Sequence, residues 1–283
     1  MDVLQRAWFD KWIKGIDNRI DQYAPVTSHQ QGGKWVQSRA FPRAGQEYRR
    51  LYLTSTRSRT SPTAVRDGSL SAASPVKTAK WTVRPGITTL CSGDANRDQA
   101  GLFSPFDFCS GDNRIAERGA LTFTSPRVGR ATSITGAINV HVRTQVDAKD
   151  GFYAAVVSDV APNGTSTVLT TGSMTVSIRN QIDRAASKYA PNGDVVDPIY
   201  RLDAFHRDTV KPGSKQFLDI GMFGTDALLN PGHRLRVSVY AFNAPHAVSF
   251  GPISHDSQLK PEHVLIDPRE PSWVQVPSDR PIG

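Results

Sequence analysis

At 283 residues the chain has room for one large domain with extensions or for two modest ones. Apolar residues (38%) fall in short clusters and charged residues make up only 21%, so neither wholesale disorder nor a stretch of roughly 20 apolar residues able to span a membrane is encoded. The net charge of +8 sits in the N-terminal part: residues 1–80 carry 14 Lys and Arg against 6 Asp and Glu, whereas residues 81–283 balance 20 against 20, and the arginines are scattered through what reads as loop, where a nucleic-acid face would gather them on one folded surface with aromatics among them.

The chain opens on a predicted amphipathic helix. Leu4, Trp8, Phe9, Trp12, Ile13 and Ile16 recur at three- and four-residue spacings, while Arg6, Asp10, Lys11 and Lys14 take the other faces. Gly15 and the Asp17-Asn18 pair end it. Each large aromatic can bury about 150–250 Å², so this face wants a partner. Without one, it should fold back on the rest of the chain, form a homo-oligomer or aggregate. Met1 to Arg6 shows no apolar run ending in small residues, so no secretory signal is expected and the chain as given is expected to be cytoplasmic.

Residues 23–79 alternate short apolar clusters (Trp35-Val36, Leu51-Tyr52-Leu53) with runs rich in Ser, Thr, Arg and Pro, and read as a connector with short strands. Trp81-Thr82-Val83, followed by Arg84-Pro85, suits an edge strand, because proline cannot donate to a ladder. Cys91 and Cys109 lie in a Gly-, Asp- and Asn-rich stretch, and two readings stay open. Paired, they would contribute about 3 kcal/mol by restricting the unfolded chain and would point to an exported parent protein. Unpaired, they are small apolar residues in a reducing compartment.

From Ala120 onward period-2 alternation dominates, in Ala120 to Thr124 and at Ile134, Ile138, Val140 and Val142. Phe152 to Val160 and Thr165 to Thr171 flank Ala161-Pro162-Asn163-Gly164, a hairpin signal because Asn-Gly accepts positive φ. Met174 to Ile178 continues the sheet, Asn180 to Ala204 loses its period, and Lys215 to Ile220, Arg234 to Tyr240, Val264 to Ile266 and Trp273 to Val276 supply further strands. Around eight to ten strands at hairpin spacing without βαβ helices predict an all-β, antiparallel sandwich.

A serine hydrolase of the α/β type needs a Gly-x-Ser-x-Gly elbow, which raises its hydroxyl on a strained turn beside an oxyanion hole. The sequence contains none. His255-Asp256-Ser257 has triad residue types, but adjacent residues cannot aim at one centre. His233, before a strand, is expected to bond the backbone. His246, His255 and His263 lack zinc-site spacing, and Asp147 and Asp150 beside Gly151 lack the further ligands of a calcium loop, so no metal or cofactor is expected. Trp35, Trp81 and Trp273 could serve a sugar-binding face only by analogy of fold.

Three stretches carry a family resemblance. Leu4-Gln5-Arg6-Ala7-Trp8-Phe9-Asp10-Lys11-Trp12-Ile13-Lys14-Gly15 resembles the W/F-F-D-x-W/H-L-K/R-G helix of the cocaine-esterase and X-Pro dipeptidyl-peptidase hydrolases. Asn230-Pro231-Gly232-His233-Arg234-Leu235-Arg236 through Pro245 is similar to their P-G-H-R-I/L-R strand, and Val160-Ala161-Pro162-Asn163-Gly164-Thr165 to their V-x-P-D/N-G hairpin. The resemblance covers essentially the whole chain. It implies that residues 1–22 are the terminal helix of an α/β-hydrolase domain otherwise missing here, that 23–79 connect, and that 80–283 form a jelly-roll β-sandwich of galactose-binding-domain type. In that family the helix follows shortly after the catalytic histidine, and the catalytic residues lie in the other domain. The implied function is that of an accessory domain, inert alone, whose parent cleaves esters or amides, including dipeptides after proline, with the catalytic domain supplied in cis or in trans. Two alternatives stand beside it: a carbohydrate-binding module acting by itself, and one subunit of a split hydrolase.

Overall fold

Runs rich in Val, Ile and Thr become strands because branched side chains pack well on a pleated surface. The computed structural model describes residues 2–101, 105–244 and 251–282. After helix α1 (Asp2–Trp12), a small ribbon pairs β1 (Val26–His29) with β2 (Trp35–Ser38). Then come β3 (Glu47–Thr54), β4 (Arg66–Ser71) and β5 (Ala79–Val83), the short helices α2 (Gly93–Asp98) and α3 (Asp107–Ser110), and β6 (Leu121–Thr124), β7 (Thr132–Gly136), β8 (Asn139–Val146), β9 (Phe152–Val160) and β10 (Ser166–Thr175). A second ribbon joins β11 (Lys188–Tyr189) to β12 (Val195–Asp197), and β13 (Lys215–Gly221), β14 (Thr225–Leu229), β15 (Arg234–Tyr240), helix α4 (Gly251–Ser257), β16 (Glu262–Ile266) and β17 (Trp273–Ser278) complete the chain.

Thirteen of these strands make one sheet in the order β10-β9-β15-β6-β4-β3-β17-β8-β16-β5, with β13 beside β8 and the β7–β14 pair attached through β17. All of these pairings are antiparallel except β4 with β6. The sheet doubles over on itself. Leu53, Phe123, Val157 and Val237 from one layer meet Val140, Leu218 and Val274 from the other in a single buried cluster, giving an all-β sandwich. Each such side chain removed from water is worth about 1.5–3 kcal/mol.

The β9–β10 hairpin turns at Asn163-Gly164, where Gly164 takes φ +88° and the Thr165 N–H donates to Asn163 Oδ1 at 3.0 Å. The turn before β15 likewise uses Gly232 at φ +86°. Strands β9, β10 and β15 are covered on their outer face too, by a second cluster of Ala120, Phe152, Ala154, Val156, Val168 and Tyr240.

Two expectations shift. Residues 23–79 do carry short strands, but β3 and β4 lie inside the main sheet, β3 against β17 and β4 against β6, so the sandwich begins at Glu47 and not at residue 80. The pairings that place them are with residues 55 to 231 positions away, and no local signal reports those. The alternation at Ile134 to Val142 is split between β7 and β8 by Gly136 at φ +132°.

Candidate functional site

Helix α1 ends as its sequence requires. Gly15 adopts φ +70°, its N–H donates to the Lys11 carbonyl at 3.0 Å, and the Ile16 N–H reaches the Asp10 carbonyl at 3.0 Å, so the last turn is closed by the one residue type free to bend there. The polar face is paired within itself. Asp10 accepts from Lys14 at 2.7 Å and lies 3.6 Å from Arg6, and the Lys14 ammonium holds the Asp10 carboxyl below its usual range. Lys11 meets Asp21 at 2.8 Å, which raises Lys11 and lowers Asp21. Asn18 donates to the Ala7 carbonyl at 2.6 Å, and the helix packs chiefly on the turn Ile20–Gln22.

The apolar face has no such partner. Trp8, Phe9, Trp12, Ile13 and Ile16 are 51, 44, 63, 72 and 49% exposed, and Leu4 is half-buried. Trp8 and Phe9 meet edge to face at 5.3 Å. Together with Ile20 and Tyr23, the aromatic residues and Leu4 line an open groove of about 460 Å³. Of the fates expected for this helix, folding back onto the sandwich is not the one adopted.

Cys91 and Cys109 are joined by a disulfide with Cα atoms 4.5 Å apart, tying the segment before α2 to α3. Beside this excursion, the outer face of β15 holds a fully enclosed charge. Arg236 is 0% exposed, and its three nitrogens donate to Glu117, to Thr124 Oγ1 at 3.0 Å and to the Thr60 carbonyl and hydroxyl at 2.9 Å. Glu117 also accepts from Ser166 Oγ at 2.5 Å, and burial holds its carboxyl above the usual range despite the adjacent guanidinium.

The candidate chemical groups scatter. On α4 His255 is exposed and lies 3.4 Å from Asp256 Oδ1, Asp256 also accepts from Arg207 at 2.8 Å, and the Ser257 hydroxyl donates to the Ser254 carbonyl at 3.1 Å, so the serine faces neither of the other two. His233 bonds the Asp159 carboxylate at 2.8 Å, and not the backbone acceptor expected for it. Asp150 is buried and structural, accepting from Gly151 N at 2.8 Å, from Ser177 N at 3.0 Å and from Arg207 at 3.1 Å. No group of three or more metal-ligating side chains exists among the described residues. His246 and Pro245 lie outside them. Trp273 is held between His141, stacked at 4.1 Å, and the Arg50 guanidinium at 4.4 Å, Trp81 stacks on Phe123 at 5.3 Å, and Trp35 is exposed.

One hydroxyl–imidazole–carboxylate series does occur, which the sequence did not suggest: Thr82 Oγ1 lies 2.9 Å from His263 Nδ1, and His263 Nε2 lies 2.9 Å from Asp147 Oδ2. The hydrogen bond from His263 holds the Asp147 carboxyl low. Its geometry is that of sheet pairing. Thr82 and His263 sit directly opposite each other in the β5–β16 ladder, and Thr82 is mid-strand, without the strand-to-helix turn that presents a nucleophile to an oxyanion hole.

Comparison with known proteins gives a consistent picture. The family described as X-Pro dipeptidyl-peptidase C-terminal non-catalytic domain matches residues 18–275, beginning just after α1. Proteins described as serine esterases in Mycobacterium bovis and Mycobacterium tuberculosis are 25% identical over 150 residues, which is 53% of this chain and 23% of each relative. A CocE/NonD family hydrolase from Staphylococcus aureus superposes with a TM-score of 0.66 at 14% identity, over 97% of this chain and 45% of that one. An α-amino acid ester hydrolase gives 0.65 at 16% identity, covering 97% and 44%. An aminopeptidase from a marine sediment Thaumarchaeota archaeon gives 0.64 at 14% identity, covering 96% and 43%. The chain therefore spans less than half the length of these proteins, and the likeness to the solved structures establishes the fold.

Proposed function

The chain belongs to the family of X-Pro dipeptidyl-peptidase C-terminal non-catalytic domains, and from that membership we propose that it is the accessory sandwich of a serine hydrolase, inert by itself. Its catalytic partner is an α/β-hydrolase domain supplied in cis or in trans, and the helix α1 is the surface on which that domain docks. The parent enzyme hydrolyses esters or amides, with release of dipeptides after proline as one form of that chemistry.

The observation that carries this reading is the outward apolar face of α1. A helix whose Asp10 and Lys11 are both ion-paired while two tryptophans and a phenylalanine face out has its polar side finished and its apolar side unfinished. Burying on the order of 500 Å² of that face would release about 10 kcal/mol before the costs of association, enough to hold two domains together. Clustered aromatic anchors of this kind dominate interface energetics.

Co-expression with the parent enzyme's α/β-hydrolase domain should give a complex that co-purifies and hydrolyses p-nitrophenyl esters. Trp8→Glu with Trp12→Glu should weaken that complex by at least about tenfold. Full affinity in the double variant would refute docking through α1.

A further inference from the structure

The main sheet ends on β5, which pairs with β16 along its whole length on one side, from Ala79↔Ile266 to Val83↔Glu262, and with no described strand on the other. A second unpaired edge faces it. Strand β4 pairs with β6 over Arg66–Ser69 but with β3 only over Ser69–Ser71, so Arg66, Asp67 and Gly68 have one side without a strand. Between the two edges runs a cavity of about 580 Å³, with Ala64 to Asp67 on one wall and Ala79 to Trp81 on the other. This is a seam where the doubled sheet stops short of closing.

The seam is strongly basic. Arg57, Arg66 and Lys80 line it, all exposed, and none has a carboxylate within ion-pair distance among the described residues. Residues 54–84, the stretch that supplies its lining, hold six Lys and Arg against Asp67 alone. Asp67 itself turns inward: its Oδ1 accepts from Ser58, and its Oδ2 is buried without a donor. The Ser61 hydroxyl, in the same lining, also has no partner among the described residues.

Unpaired strand edges offer main-chain donors and acceptors to an extended chain, and a row of cations beside them selects carboxylates. We propose that this seam captures an extended acidic segment of a partner polypeptide as an added strand alongside β5. Alternate side chains of that segment divide between the two environments. Carboxylates on one side meet Arg57, Arg66 and Lys80, and small apolar residues on the other lie against Ala64, Val65 and Trp81. Nucleic acid is the poorer fit, because Trp81 is the one aromatic of the lining and already stacks on Phe123, leaving no platform for successive bases.

The test is fluorescence anisotropy of the full chain with a labelled octapeptide, Thr-Glu-Val-Glu-Thr-Glu-Val-Glu. Saturable binding is expected. Arg66→Glu with Lys80→Glu, both surface changes, should weaken it about tenfold while the melting temperature stays put. Two analogues N-methylated on alternate residues, one in each register, keep the charge but lose half the N–H donors, and at least one must also bind about tenfold more weakly. Equal binding by both N-methylated analogues, equal affinity for an oligothymidylate, or no binding of the parent peptide up to about 1 mM would overturn the proposal.

Discussion

Around Arg236 and along α1 the molecule treats its two most demanding kinds of side chain in opposite ways. At Arg236 a full charge is taken wholly out of water, and the surrounding residues, Glu117, Thr60 and Thr124, come from three separate parts of the chain to satisfy it. On α1 the largest apolar side chains are left facing water, although nothing in their chemistry prefers it. Around Arg236 the sandwich is thus closed, its buried charge provided for internally. The helix is open, its large apolar side chains left in water.

That contrast can be broken most directly at Glu117. Glu117→Ala leaves the Arg236 charge buried without its counter-ion and should destabilise the fold by about 3–5 kcal/mol in chemical denaturation. A loss below about 1 kcal/mol would mean that the interior is less closed than the hydrogen bonds imply.

A second interior carboxyl sharpens the point through pH. Glu262 accepts the Phe152 N–H at 2.7 Å through Oε1, its Oε2 is buried without a donor, and burial raises its pKa well above the usual range. A carboxyl whose folded pKa is raised contributes its stabilisation fully below the unfolded value, and that contribution fades as pH climbs toward the folded one. Glu262→Gln keeps the Oε1 acceptor and cannot ionise. It should be about 1–3 kcal/mol more stable than the parent at pH 8, with the gap closing near pH 4. A gap independent of pH would assign the effect to packing alone.

The smallest stability effect belongs to the helix. Trp8→Glu with Trp12→Glu should alter the unfolding free energy by no more than about 0.5 kcal/mol, because these side chains pack against little, while self-association in sedimentation falls and solubility rises. Lower stability with unchanged solubility would show that the helix is part of the closed unit after all.

Helix α1, the Asn163-Gly164 hairpin and strand β15 were legible because their signals are local: a 3.6-residue apolar period, a turn dipeptide, an alternation. The place of β3 and β4 in the main sheet was not, because sequences such as Glu47-Tyr48-Arg49-Arg50 and Arg66-Asp67-Gly68-Ser69 have little apolar content, and that place is set by β17 and β6. Arg236 read as an outward polar position of an alternating strand. Its burial depends on residues 112–120 and Thr60 covering that face, which the pattern of β15 alone cannot report. The exposed apolar residues of α1 could be named from sequence, whereas the basic seam could not: the sequence displayed its charge, but only the sheet order exposes the unpaired edges beside it.

The inertness proposed for this sandwich is tested most directly by turnover of p-nitrophenyl acetate and of an Xaa-Pro anilide by the pure chain. The buffer rate is expected for both substrates, identical for the parent and for Thr82→Val, which removes the hydroxyl beside the His263 imidazole. Turnover above that rate, abolished in Thr82→Val, would contradict it.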